Sequence, residues 1–401
     1  MTVDKLKNLT LLITDGKHGD CKNADNSGYY FVSCKDVHDG IIDYSDARQI
    51  TEQDFADTHR RTQLQPDDIL VTNSGTIGRM ALVKDAPETA RTTFQKSVAI
   101  VKPDTKKIIP AYLYYCLLNR VTDFVNNSNG SAQKNLLLGT MRDFSIQYYE
   151  EVEKQETVVS IIKPYDDLIE TNQRQIKLLE EAAQRLYKEW FVDLRYPGYE
   201  NVPVVDGVPE GWKKTRFSDR VDVLSGGTPK TSNPEYYNGT IPFYSPKDSD
   251  DRFFAFDTET HITDSGLKNC NSKLYPEGTI IITARGTVGK TTILAKPMAM
   301  NQSCYALRSN QVSSVYYLFF ALRQEILALK TMANGGVFDT IIVKTFDRIN
   351  LMTPSDSLIQ EFDKQVLPVM ERLKALMIEI KDLSEARDRL LPKLMSGEIA
   401  V

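Results

Sequence analysis

Cysteine and histidine are scarce in this sequence, long apolar runs are missing, and there is no surplus of positive charge. Each absence excludes something. The five cysteines (Cys21, Cys34, Cys116, Cys270, Cys304) are odd in number, widely spaced and without a C-x-x-C pair. They read as reduced thiols, not as a disulfide framework or a zinc site. The four histidines (His18, His38, His59, His261) show no i, i+4 metal spacing, and there is no G-x-S-x-G elbow. Neither a metal site nor a catalytic residue is expected from them. The longest unbroken apolar run, residues 315–322, is far below the ~18–20 residues that span a bilayer. Residues 1–12 lack a signal-peptide pattern. A cytoplasmic protein with no membrane partner is the expectation.

What is present is ordinary globular composition, 41% hydrophobic and 26% charged over 401 residues. That excludes a mostly disordered chain and leaves room for two to four domains of roughly 100–200 residues each. The net charge is −5. The acidity sits mainly in residues 151–205 and 356–401, and the remaining two segments are nearly neutral. A polyanion could bind only where Lys and Arg cluster locally, or where partner subunits share the work.

The chain repeats itself. Asn73-Ser-Gly-Thr-Ile-Gly-Arg79 recurs as Ala284-Arg-Gly-Thr-Val-Gly-Lys290 at an offset of 211. Each copy follows a β-rich run, Ile69-Leu-Val-Thr72 and Ile280-Ile-Ile-Thr283. At the same offset Asp15-Gly16-Lys17 aligns with Gly226-Gly227-Thr228. Gln95-Lys-Ser97 aligns with Asn301-Gln302-Ser303 at offset 206, and Asn129-Gly130 with Asn334-Gly335 at offset 205. A slipping offset over such long copies predicts a duplicated domain, not a solenoid.

The strongest match is helical. Ile162, Tyr165, Ile169, Asn172, Ile176, Leu179, Ala183, Leu186 and Trp190 keep a 3-4 spacing. Val366, Val369, Leu373, Leu376, Ile380, Leu383, Arg387, Leu390 and Leu394 repeat it at offset 204. From Pro164 to Leu186, 8 of 23 positions are identical to their mates, where chance gives one or two by composition alone. A narrow stripe sustained over four heptads predicts a coiled-coil seam, about 43 Å long from residue 162 to residue 190 at ~1.5 Å per residue. Two equal stripes in one chain most simply bury each other. Pro164 and Pro368 are expected to separate short helices, 152–161 and 358–365, from the long ones, and Pro392 to end or kink the second. Asn172 and Arg387 are polar seam positions. Tyr187, Trp190 and Phe191 are expected to stay exposed and await a partner helix. Three prolines and three glycines in residues 195–211 mark a linker.

Enzymatic motifs are weak. Ala284-x-x-x-x-Gly289-Lys290-Thr291 fits a relaxed P-loop, but the first glycine is alanine and the paired copy lacks both lysine and hydroxyl. A glycine turn between two strands is the simpler reading. Asn233-Pro-Glu-Tyr236 is similar to the Asn-Pro-Pro-Tyr of adenine methyltransferases, without its second proline. The loops instead hold side chains suited to phosphates and base edges. In the first copy these are Lys17, His18, Lys22, Ser74, Thr76, Arg79, Gln95 and Lys96. In the second they are Lys230, Thr231, Lys247, Arg285, Thr287, Lys290, Asn301 and Gln302.

With these pieces in place, the sequence resembles the DNA-specificity subunit of Type I restriction-modification systems. Residues 167–198, DLIETNQRQIKLLEEAAQRLYKEWFVDLRYPG, resemble that family's first conserved helical region, and Leu390-Leu-Pro-Lys-Leu-Met-Ser-Gly-Glu-Ile399 resembles its C-terminus. Gly211-Trp212 onward, with Ser225-Gly-Gly-Thr-Pro-Lys-Thr-Ser-Asn-Pro-Glu-Tyr-Tyr237, resembles the opening of a target-recognition domain, and Thr14-Asp-Gly-Lys-His-Gly19 a variant of it. The resemblance implies an α+β chain: two similar globular α/β recognition domains separated by two long antiparallel helices, with a pseudo-twofold internal repeat. The corresponding boundaries are residues 1–150, the helical region 151–195, a linker at 196–211, then 212–355, and the second helical region 356–401.

It further implies a non-catalytic reader of double-stranded DNA with a bipartite site, each domain reading one half and the coiled coil fixing the spacer. The implied partners are two methyltransferase subunits, which bind S-adenosylmethionine, and two restriction subunits, which use ATP and magnesium. No cofactor is expected in this chain. The alternatives are a P-loop nucleotide hydrolase and a coiled-coil scaffold that binds only proteins.

Overall fold

The structure is a computed structural model that describes residues 1–38, 40–129, 134–310, 314–332 and 340–401. Gly130, Asn334 and Gly335 of the repeat lie outside the described residues. The chain divides into two compact units, Met1–Thr171 with Ile380–Val401, and Asn172–Glu379.

In the first unit a four-stranded antiparallel sheet has the order Thr10–Asp15, Val98–Pro103, Ile69–Thr72, Met80–Leu82. Ile69–Thr72 is buried at every position, as an apolar β-branched run between two neighbours should be. Tyr30–Val32 pairs in parallel with Thr92–Phe94. Thr2–Lys5 pairs with Ser145–Tyr148, joining the two ends of the globular part. Helix Pro110–Leu118 packs its apolar residues into the main core of the unit.

The second unit repeats this wiring. Val221–Ser225, Cys304–Ser309, Ile280–Thr283 and Thr291–Leu294 are neighbours in the same order, with Phe254–Ala255 added at the far edge. Phe243 and Tyr244 pair in parallel with Ala299 and Met300. Lys213–Arg216 pairs with Asn350–Thr353. The duplication read from the sequence is thus a duplication of topology. Within residues 196–211 there is a small hairpin, Val204–Val205 with Val208–Pro209, turned by Asp206 and Gly207, both at positive φ.

Two long helices complete the units, Val152–Phe191 and Asp356–Ser396. The unit boundaries fall inside them. In the first unit Val158 and Ile162 share a core with Leu391 and Leu394. Asp166 meets Arg387 at 2.7 Å, and the Tyr149 hydroxyl donates to the Leu394 carbonyl at 3.2 Å. In the second unit Arg372 donates to Gln175 at 3.4 Å, while Phe362 packs on Trp190 with ring centroids 5.9 Å apart. Partner numbers fall along one segment as they rise along the other, so the segments run antiparallel within each unit. Every seam residue named from the spacing is buried or half-buried.

Two expectations fail. Pro164, Pro368 and Pro392 do not break the helices, which run through all three. All three prolines are exposed. On the solvent side the carbonyl left without its N–H partner can bond water, and packing of the opposite face holds the helix together. Nor are Tyr187, Trp190 and Phe191 exposed. They are 6–7% exposed, inside the core of the second unit with Tyr317, Phe320 and Phe362.

Candidate nucleic-acid interface

The glycine turns that repeat in the sequence share the same framework of hydrogen bonds. In the first unit the Thr72 N–H donates to the Arg79 carbonyl at 2.8 Å, and the Gly78 N–H to the Thr72 carbonyl at 2.9 Å. The Thr72 hydroxyl accepts from the Arg79 N–H at 2.9 Å. In the second unit the corresponding three distances are 2.9 Å (Thr283 to Lys290), 2.8 Å (Gly289 to Thr283) and 3.0 Å (Lys290 to the Thr283 hydroxyl). Gly75, Gly78, Gly286 and Gly289 all have φ between +80° and +86°, a region glycine enters without strain. A Cβ on Gly78 would also lie 2.7 Å from Val121, and one on Gly289 2.7 Å from Ile326. The result is a fixed turn with an exposed tip, Gly75-Thr76 in one unit and Arg285-Gly286-Thr287 in the other.

Three further loops close around each turn. The Asn73 N–H donates to the Ser97 carbonyl at 3.0 Å, and the Ala284 N–H to the Ser303 carbonyl at 2.7 Å. The Gln95 N–H bonds the Val32 carbonyl and the Asn301 N–H the Tyr244 carbonyl, both at 2.9 Å. The Lys17 N–H donates to the Phe94 carbonyl at 2.8 Å, and the Gly227 N–H to the Met300 carbonyl at 3.1 Å. Gly16 and Gly226 press so close that an added Cβ would stand 1.9 Å from the Phe94 oxygen and 2.1 Å from the Asn301 oxygen. Gly16 therefore matches Gly226 and Lys17 matches Gly227, one residue away from the alignment read off the sequence.

The fold brings Lys17, Gln95, Lys96, Ser74, Thr76 and Arg79 into one loop cluster in the first unit. In the second it gathers Arg285, Thr287, Lys290, Asn301 and Gln302. Thr228 joins them, its hydroxyl donating to the Gln302 side chain. Lys230 and Thr231 are exposed in the loop that follows. Their side chains are not equally available. Lys17 pairs with Asp54 at 3.1 Å. That hydrogen bond raises the lysine above its ordinary value, while the Lys22 N–H, at 2.8 Å, and then Lys17 hold Asp54 low. His18 meets Asp15 at 2.8 Å. Lys290 turns inward and donates to the Ser249 carbonyl at 3.2 Å, and the Thr287 hydroxyl reaches the Pro246 carbonyl at 3.4 Å. The side chains of Lys22, Arg79, Lys96, Lys230 and Arg285 are exposed and make no ion pair with described residues.

One repeated element escaped the sequence reading. Asp36 accepts from the Ser33 N–H at 2.7 Å and its hydroxyl at 2.8 Å, and Asp248 does the same for Ser245 at 2.9 and 2.8 Å. These tight turns present Lys35 and Lys247 to solvent. The Cys34 N–H donates to the Ser97 hydroxyl at 3.3 Å, which ties the first to the same cluster. The signal was Phe31-Val-Ser-x-Lys-Asp36 against Phe243-Tyr-Ser-x-Lys-Asp248, at offset 212.

The enzymatic alternatives lose their geometry. A P-loop needs a helix to open at its lysine, and strand Thr291–Leu294 occupies that place. Asn233 accepts from the Glu235 N–H at 3.1 Å and caps the short turn Pro234–Tyr236. Among the described residues no group of three metal-ligating side chains is gathered, and no helix is long and apolar enough to cross a membrane.

The family model for the Type I restriction modification DNA specificity domain matches twice, at residues 14–181 and 209–385. The HindI specificity subunit of a Type I restriction enzyme from Haemophilus influenzae is 27% identical over 366 residues, covering 75% of this chain and 80% of its own. The MjaIX specificity subunit from Methanocaldococcus jannaschii is 26% identical over 345 residues, covering 83% and 78%. The crystal structure of a Type I restriction-modification S subunit from M. genitalium superposes with a TM-score of 0.56 at 14% identity, over 98% of this chain and 95% of that one. That last likeness is one of fold.

Proposed function

The chain belongs to the Type I restriction-modification DNA specificity family, and on that premise we propose that it is a two-headed reader of a bipartite DNA site. It is a specificity subunit and not a catalytic one. Each head reads one half-site through the loop cluster around its glycine turn, and the two long helices act as a coiled-coil spacer that sets the unread interval. The observation that carries this reading is the duplicated turn, with the same hydrogen bonds in both units and exposed cations beside it. A fixed backbone next to exposed Arg and Lys suits phosphate contacts that set register, while Asn and Gln side chains suit adenine edges.

The same reading gives the chain two methyltransferase and two restriction subunits as partners, docked on the helical regions in the cytoplasm, where the DNA is. S-adenosylmethionine, ATP and magnesium then belong to those partners, and this chain positions the duplex for a methyltransferase that must extrude its target base. Partners also explain how a chain of net charge −5 serves a polyanion, since they contribute positive surface.

Methylome sequencing of cells with and without the gene, the methyltransferase partner present in both, tests the reading. A two-part adenine motif should appear only with the gene. A motif that persists without it, or no motif in either strain, defeats the reader and leaves the protein-only scaffold standing.

A further inference from the structure

In each unit the chain returns beside the glycine turn just before a short helix. In the first, the Leu136 N–H donates to the Asn73 carbonyl at 2.8 Å, and Asn135 bridges Ser74. In the second, the Ile341 N–H donates to the Ala284 carbonyl at 3.0 Å. The residue making the bond is buried, Leu136 at 0% and Ile341 at 1%. The next residue stands in solvent, Leu137 and Ile342 each 50% exposed. No other pair of exposed large hydrophobic side chains recurs at matching positions among the described residues. An isolated exposed leucine needs no explanation. The same exposed aliphatic at the same place in both heads, one residue from the turn, does.

The surroundings indicate what covers it. Lys134 stands exposed three residues before Leu137 and Lys344 two residues after Ile342, and Arg79 and Arg285 are exposed on the turns that the two segments bond. An exposed apolar side chain on a segment that also carries exposed cations suits a ligand that is polyanionic at its rim and apolar within. A DNA groove has that character. In the major groove the one apolar group that distinguishes a base is the C5-methyl of thymine. We propose that Leu137 and Ile342 each contact a thymine methyl group, one in each half-site, so that part of the sequence is read by apolar contact beside the turn.

The proposal rests on the reading of the chain as a DNA reader, and the experiment separates the two. The full chain with its methyltransferase partner is titrated with the duplex that methylome sequencing defines. Thymines in each half-site are replaced singly by uracil, which lacks only the methyl group. Leu137→Ala should weaken binding about fourfold, the factor that burying one methyl-sized group is worth. Uracil at one position of one half-site should weaken it similarly, and the two changes together should add nothing. Ile342→Ala should behave in the same way toward the other half-site, and Leu137→Met should bind as the parent does. Both side chains are exposed, so the thermal midpoint should not move. Losses that multiply at every thymine, a half-site without thymine, or variants that lose the methyltransferase while gripping DNA unchanged would each overturn the proposal. Failure of the underlying reading looks different, because the parent complex would then not prefer its site over a scrambled duplex.

Discussion

Thr72 and Thr283 are fully buried, and each holds its turn through the side-chain oxygen that meets the backbone of residue 79 or 290. Valine keeps their shape and removes that oxygen, leaving an N–H short of a partner. Thr72→Val and Thr283→Val should each cost about 1–3 kcal/mol, read by chemical denaturation, and should loosen the turn enough to weaken DNA binding. A second residue gives a pH signature. Burial raises the Glu180 carboxyl above its ordinary 4.5, with the Phe253 N–H opposing it more weakly. A folded-state value above the unfolded one means stability that is fully present below 4.5 and is lost as pH rises through the folded value. Glu180→Gln removes that loss. The variant should match the parent at acid pH and exceed it increasingly toward neutrality, as thermal midpoints across pH 4–8 would show, and a constant difference across that range counts against the cause given. At this scale the sequence revealed the turn because its glycines and hydroxyls recur. It misplaced Gly16 by one residue, because the contact that identifies it, with the Phe94 carbonyl, is invisible along the chain.

The long helices show what periodicity can and cannot reveal. A 3-4 stripe depends only on which side chains avoid water, so the buried stripe was legible from Ile162 onward. The effect of proline depends on which face it occupies and on what the other face packs against, and neither is local. The aromatic end was misjudged for the same reason, since Tyr317, Phe320 and Phe362 lie more than a hundred residues downstream of Tyr187. Within the stripe Asn172 is 4% exposed, and its side-chain nitrogen has no hydrogen-bond partner among the described residues. A buried polar group in a seam lowers stability and discriminates between registers. Asn172→Leu should therefore raise stability by about 1–2 kcal/mol, measured by denaturant midpoint. Its cost should appear as broader resonances or faster hydrogen exchange along the helices. A destabilised variant would mean that Asn172 has a polar partner after all.

For the whole molecule the duplication matters more than any one residue. Each unit carries its own sheet, its own turn and a segment of both helices, so a change made in one head need not disturb the other. Exchanging residues 1–150 for the matching part of a relative should change one half-site and leave the second intact. The spacer is the stricter case. The unit boundaries fall between Thr171 and Asn172 and between Glu379 and Ile380, which makes those the places to lengthen both helices together. One heptad in each preserves the apolar stripe and adds about 10 Å of helix, or roughly three base pairs at ~3.4 Å each. The methylated motif should keep both half-sites and gain up to about three base pairs between them. DNA also twists over that distance, so affinity should fall while specificity holds. A heptad in one helix alone puts the two stripes out of step and should give an insoluble or inactive chain. Motif sequencing reads all of these outcomes, and a lengthened pair that left the interval unchanged would remove the helices from their proposed role as the ruler.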